Sequence, residues 1–261
     1  MFLTADYHTH TPFSHGKGTI LENAIEAKNK GLIELGITDH GFAHPAFGLR
    51  NRKLPKMRMQ CDFATKETGV KVLLGIESNI IGTDGKTDLN EKKYDDFDLY
   101  IAGFHKFVLY KFGTIFTLAT PNLVHTYFKR FPVSNRLKKE NTKTLINVIK
   151  NNPVDIISHI NFCSFSDGVE VAKVARDYGT YIELNAKKTH LTDEEIYLIS
   201  KTGVEFVINS DAHTSERVGE ISLVENTLKR VDVDFNKIAN IDGRLPKFRF
   251  ATFKKGAGRW I

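Results

Sequence analysis

Seven of the chain's ten histidines, with Glu77 and Asp211, fall at or just past the ends of short apolar runs that read as β-strands. In chain order these residues are His8, His10, His15, His40, Glu77, His105, His159, Asp211 and His213. Imidazole nitrogens and carboxylate oxygens are the donors that divalent transition metals take. Nine such groups exceed the four of one tetrahedral site, so the pattern predicts a multinuclear centre. His8 and His10 stand two apart on a strand and therefore share a face. Asp6 is expected on the same face, orienting one imidazole through its second nitrogen. Asp211-Ala212-His213 repeats the spacing with mixed oxygen and nitrogen donors. Glu77 ends the run Val72-Leu73-Leu74-Gly75-Ile76, where a lone carboxylate would be an unpaired buried charge. His44, His125 and His190 fall outside this pattern and read as surface or packing residues.

Positioning these groups requires elements that bring distant strand ends together. Strands are expected at Leu3–His10, Leu35–Asp39, Lys71–Glu77, Leu99–Phe104, Val154–His159, Thr180–Asn185 and Glu205–Ser210. They are short, apolar and bounded by Gly, Pro, Asn or Asp, as buried parallel strands are. Helical patterns lie between them. Thr19–Lys30 carries an N-cap and stops at Gly31; Asp167–Tyr178 precedes Gly179; Thr192–Thr202 opens on a Thr-x-x-Glu capping box and ends at Gly203. Repeated β-α alternation implies parallel strands joined by right-handed crossovers. The candidate ligands occupy six of the seven units, always at the C-terminal end of a strand or just after it. That is the active rim of a β/α barrel, whereas an open sheet gathers function at one switch point. The expected fold is therefore α/β: a closed or nearly closed TIM-like barrel, with one domain spanning residues 1–261. Residues 106–136 interrupt the alternation as a long aromatic rim insertion without Asp or Glu. A lid, an oligomer contact or a locally packed unit would each explain it. A basic aromatic C-terminal tail occupies residues 244–261.

Composition narrows the setting. At 261 residues, 41% hydrophobic and 26% charged, the chain has the profile of an ordinary soluble protein. Cys61 and Cys163 make no disulfide framework, which fits a reducing cytosol, and no signal peptide is visible, so a cytoplasmic protein is expected. Cys163 lies near His159 in sequence, but an apolar setting favours core packing. The apolar stretch from Phe112 to Phe128 is interrupted by Pro121, Asn122 and His125 and is too short to span a membrane. The net charge of +6 favours an anionic partner without naming it; the basic runs read as solvated faces first, with a phosphorylated small molecule or nucleic acid as the alternatives. Oligomeric state leaves no signal in the sequence.

The segments "ADYHTHTPFSHGKGT", "LGITDHG", "LLGIESNIIGTDGKTDL", "DLYIAGFHK", "VDIISHI", "IELN" and "VINSDAHTSERVGE" run from residue 6 to about 220. As an ordered set they resemble the PHP family (polymerase and histidinol phosphatase domains). The resemblance is nearest to stand-alone YcdX-type metal-dependent phosphoesterases. It implies a distorted (β/α)7 barrel and two to three divalent metals, zinc first, with manganese or iron as alternatives. Under the resemblance, His8, His10, Glu77 and Asp211 hold one metal, and His15, His40 and His213 a second. Glu77 bridges to a third, completed by His105 and His159. It further implies a metal-bridging hydroxide, held by His8, His10, Glu77, Asp211 and His213, that attacks a phosphomonoester of a small molecule. Arg50, Arg52, Lys106 and Arg217 are candidates to grip the phosphate. Two departures stand out: Ile160-Asn161 follows His159 where relatives carry proline, and the rim insertion is longer than its counterparts.

Three further readings compete. Histidinol phosphate is one substrate within the phosphatase class. A PHP-type nuclease acting on DNA is supported by Phe248, Phe250, Phe253 and Trp260 among tail cations, which could stack on bases. A non-catalytic metal-holding scaffold would need a closed metal shell rather than an open position.

Overall fold

The computed structural model describes residues 1–127 and 133–256. Each expected strand forms: β1 (Ala5–Thr9), β2 (Glu34–Ile37), β3 (Lys71–Asn79), β4 (Leu99–Gly103), β5 (Ile156–Ile157), β6 (Tyr181–Asn185) and β7 (Phe206–Asn209). They pair in parallel in sequence order, from β1 to β7. Around them run α1 (Ile20–Asn29), α2 (Leu54–Thr68), α3 (Phe112–Thr114), α4 (Thr120–Tyr127), α5 (Asn135–Asn151), α6 (Gly168–Tyr178), α7 (Asp193–Ser200), α8 (Ser222–Leu228) and α9 (Arg249–Gly256). The capping boxes at Thr19 and Thr192 form as the sequence implies. Gly179 closes α6 in the left-handed conformation that only glycine enters freely.

The seam between β1 and β7 is closed by a short bridge and by side chains, among them Asn209, whose Oδ1 accepts the Tyr7 amide, and Asn240. Thr9 pairs with Ala212, and the His10 amide donates to the Ala212 carbonyl at 2.8 Å. Lower down, the Asn240 amide nitrogen donates to the carbonyls of both Ala5 and Ile208, while its oxygen accepts the Ile208 amide. One asparagine thus supplies the ladder bonds that two open edges would otherwise lack. The result is a distorted (β/α)7 barrel.

Alternation along the strands divides the core in two. Leu99 and Ile101 face the barrel interior with Tyr7, Ile156, Tyr181 and Val207, whereas Tyr100 and Ala102 face the helices. The C-terminal tail packs beneath the interior. Phe248 meets Tyr7 edge-on with ring centroids 4.8 Å apart, and Phe250 is wholly buried against Tyr94 and Tyr100. These tail aromatics pack within the protein rather than standing free to stack on bases; Trp260 lies outside the described residues.

The rim insertion is helical from Phe112 to Tyr127. A π turn at Ile115–Ala119 joins α3 to α4. Pro121 follows immediately; it cannot donate to the carbonyl four residues back, and its ring crowds that carbonyl, so the helix widens there. Among the described residues, no helix is long and apolar enough to cross a membrane.

Candidate metal centre

Glu77 is the hub of the rim. Its Oε1 lies 2.7 Å from His159 Nε2, 3.1 Å from His105 Nε2 and 3.2 Å from His8 Nε2. Its Oε2 lies 2.9 Å from His40 Nδ1 and 3.7 Å from His10 Nε2. Asp211 Oδ1 stands 3.3 Å from both His10 Nε2 and His213 Nδ1. The tight groupings are His8–His10–Asp211, His8–Glu77–His159, His40–Glu77–His105 and His10–His40–His213. His15 closes the outer edge, its ring centroid 4.5 Å from that of His213 and 5.3 Å from that of His40. All nine predicted residues converge, although His10 rather than His15 completes the tight group with His40 and His213.

The donor set fits a metal cluster. Nε2 of His8, both ring nitrogens of His10 and of His105, Nδ1 of His40 and Oε2 of Glu77 are buried without a hydrogen-bond partner. Leaving such atoms bare costs about 1–3 kcal/mol each. Ligands sharing one tetrahedral zinc would sit roughly 3.4 Å apart at ordinary bond lengths. The nitrogen–oxygen separations around Glu77 bracket that spacing.

Local backbone geometry serves the same convergence. His159 and Asp211 adopt positive φ of 25° and 49°, conformations that non-glycine residues enter only under constraint from their surroundings. Asn161 follows at φ 70°; asparagine tolerates this conformation, and proline could not adopt it. Gly103 leaves the space that His159 fills, since a Cβ there would approach His159 Cε1 to 2.8 Å.

Electrostatics reinforces the hub. Burial works against an ionised Glu77, yet the neighbouring imidazoles of His105 and His8 hold its carboxyl well below the usual range. Burial would likewise depress His8, but Glu77, Glu183 and Asp211 together keep its imidazole well above its ordinary value. Burial and the imidazole of His40 push His10 far down, a neutral, donor-ready state.

The orienting carboxylate is Glu183, not Asp6. Glu183 Oε1 lies 2.7 Å from His8 Nδ1, and its Oε2 accepts the His159 amide at 2.8 Å. Asp6 instead accepts from Ser210 and from the amides of Ser210, Gly219 and His8, tying the loop after β7. The reason is a bulge: three steps along β1 from Asp6 to Thr9 match two along β2, so strict alternation fails between Asp6 and His8.

A pocket of about 330 Å³ opens above the cluster. Lys106, Lys187 and Lys188 line it; Arg50, Arg52 and Arg217 are not among its lining residues. Arg50 turns to the Pro45 carbonyl. Lys106 sits between the rings of Tyr127 and Phe162, 5.1 and 5.5 Å from their centroids. Lys187 Nζ lies 3.0 Å from His213 Nδ1 and 3.4 Å from Asp211 Oδ1. His44 and His190, expected elsewhere, also line this pocket, whereas His125 packs on Phe165. Cys163 is buried, its thiol pushed up to about 12 by desolvation, and it joins none of the tight donor groups.

Known proteins share this plan. A "probable phosphatase" of Thermoanaerobacter sp. (strain X514) is 31% identical over 95% of both chains. One of Vibrio parahaemolyticus is 30% identical over 99% of this chain and 95% of its own. The crystal structure of histidinol phosphate phosphatase from Lactococcus lactis, complexed with zinc, L-histidinol and phosphate, superposes with a TM-score of 0.60 at 14% identity. That superposition covers 95% of this chain and all of that one, and it bears on the fold. The PHP domain model matches residues 6–210, and with this rim of histidines and carboxylates in place the chain belongs to the PHP domain family.

Proposed function

We propose that the protein is a metal-dependent phosphomonoesterase acting on small phosphorylated molecules. The observation that carries this is the convergence of buried, unpartnered imidazole nitrogens on Glu77 at the active rim of a PHP barrel. The names of its relatives point the same way. On this reading up to three metals would be held, one by His8, His10, Glu77 and Asp211, a second by His15, His40 and His213, and a third by Glu77, His105 and His159. Zinc suits so imidazole-rich a set.

Bound there, the metals would polarise the phosphoryl group and make water nucleophilic near neutral pH. The chain supplies the rest. Lys106 and Lys187 stand where ammonium groups can hold non-bridging phosphate oxygens. Glu183 holds His8 with Nδ1 engaged, leaving Nε2 turned inward. No hydroxyl or thiol side chain lines the pocket, so the nucleophile is water. Its oxygen bonds to phosphorus as the ester P–O bond breaks, and the departing alkoxide leaves as the alcohol with the proton that the attacking water gives up.

The test is elemental analysis of purified protein, with turnover of an aryl phosphate before and after chelation and metal restoration. Two to three metals per chain, and activity lost and regained, are expected. His10→Ala and Asp211→Ala should abolish turnover; undiminished rates in either variant would overturn the reading.

A further inference from the structure

The rim insertion lines a second, open cavity of about 300 Å³ beside the metal pocket. His105, Lys106 and Phe107 line both, so the two spaces adjoin. The π turn helps to shape the second cavity: Ile115 and Ala119, its first and last residues, both face it. Val108, Leu109, Tyr110, Leu123 and Cys163 complete an apolar lining.

We infer that this cavity receives the alcohol half of the substrate, and that the substrates are phosphomonoesters of uncharged, apolar alcohols. The inference rests on the phosphomonoesterase reading of the adjoining pocket. Charge decides the class. Among the described residues no carboxylate lines the second cavity, and those of the metal pocket, Glu77 and Asp211, are engaged with histidines. An alcohol carrying an ammonium group, such as histidinol, would find no counter-ion there and would have to bury its charge unpaired. Hydrogen-bonding capacity is largely spent as well. Asn122 exchanges bonds with Asn141, Thr126 donates to the Asn122 carbonyl, and Tyr110 donates to the His105 carbonyl. A nucleobase would gain little from such a lining. An aryl, arylmethyl or branched alkyl group matches its size and polarity.

Two measurements on the metal-loaded protein test this. The first is binding of 2-naphthalenemethanol, a product-like probe that is not turned over, followed by its fluorescence. Saturable binding is expected, at least about tenfold tighter than that of histidinol. Ala119→Trp, which fills the cavity, and Leu123→Asn, which makes it polar, should each weaken binding about tenfold or more. No saturable binding, or binding indifferent to both substitutions, would overturn the proposal. The second is kcat/KM for methyl, 3-methylbutyl, benzyl and naphthylmethyl phosphates against histidinol phosphate and AMP. A rise of at least about tenfold from methyl to the best apolar ester is expected, and the order of the branched and aromatic members separates the two sources of apolar surface. A flat series, or histidinol phosphate or AMP at the top, would overturn it. Probe binding without turnover of any ester would instead sink the phosphomonoesterase reading, and the substrate class with it.

Discussion

Glu183 Oε1 and His8 Nδ1 lie 2.7 Å apart in the sealed floor of the barrel, and neither side chain touches solvent. This contact fixes which imidazole nitrogen faces Glu77. Replacing an outer carboxylate of this kind typically lowers metal affinity about 10–100-fold. Glu183→Gln should therefore shift the zinc dissociation constant by that factor, read by competition with a chromophoric chelator. Equal affinities would mean that His8 is oriented by packing alone.

Gly103 offers a steric test of the same convergence. Adding a methyl group would crowd Ser158 and His159 and come within 3.5 Å of Glu77 Oε1. Gly103→Ala should cost about 1–3 kcal/mol of stability, as overpacking does. It should also lower the number of metals retained after dialysis. A variant with full metal content and unaltered melting would show that the His159 loop yields freely.

The sequence laid out much of this site, and its errors have physical causes. The strands and nine rim residues were readable because parallel strands are continuous apolar runs and the rim follows each one. The orienting role given to Asp6 failed because one bulge in β1 cancels strict alternation, and a bulge leaves no compositional mark. Glu183, Asn185 and Lys187 were overlooked because β6 contributes no predicted metal ligand, although the rim rule applies to its end as to the others. The arginines drew attention by charge alone. The cations that line the pocket are lysines, one of them held between an aromatic ring from α4 and one from the loop after β5.

Metal removal should be visible as a loss of stability. A ligand at a thousand times its dissociation constant stabilises the native state by about 4 kcal/mol. For a chain of this length that corresponds to a fall in Tm of about 10 °C on chelation. Differential scanning calorimetry with and without chelator measures it. Coincident transitions would argue that the Glu77 cluster is satisfied without metal.

Asp155 should give the fold a pH dependence away from the rim. Burial pushes its carboxyl up to about 7, against hydrogen bonds from the amides of Phe250 and Tyr100. An acid with a raised folded-state value keeps its proton longer in the native state. Stability is therefore lost as pH rises from about 4 through about 7, by roughly 4 kcal/mol in all. Asp155→Asn removes that titration, so the difference in stability between wild type and variant should change across this window and level off above it. Urea midpoints at several pH values would show it, and a constant difference would refute the assignment.

The Asn240 stitch has a consequence for how the protein comes into being. It joins strands at the two ends of the barrel, and its bond to Ala5 spans 235 positions of chain. A chain that has reached Ala212 can already form the upper bridge from Thr9 to Ala212, yet the lower seam at Ala5 and Ile208 lacks its Asn240 bonds until residue 240 arrives. Completion of that lower seam thus waits on a residue that follows the seventh strand. During that interval the lower margin is open to pairing with other chains, and Asn240 is one of the groups that covers it.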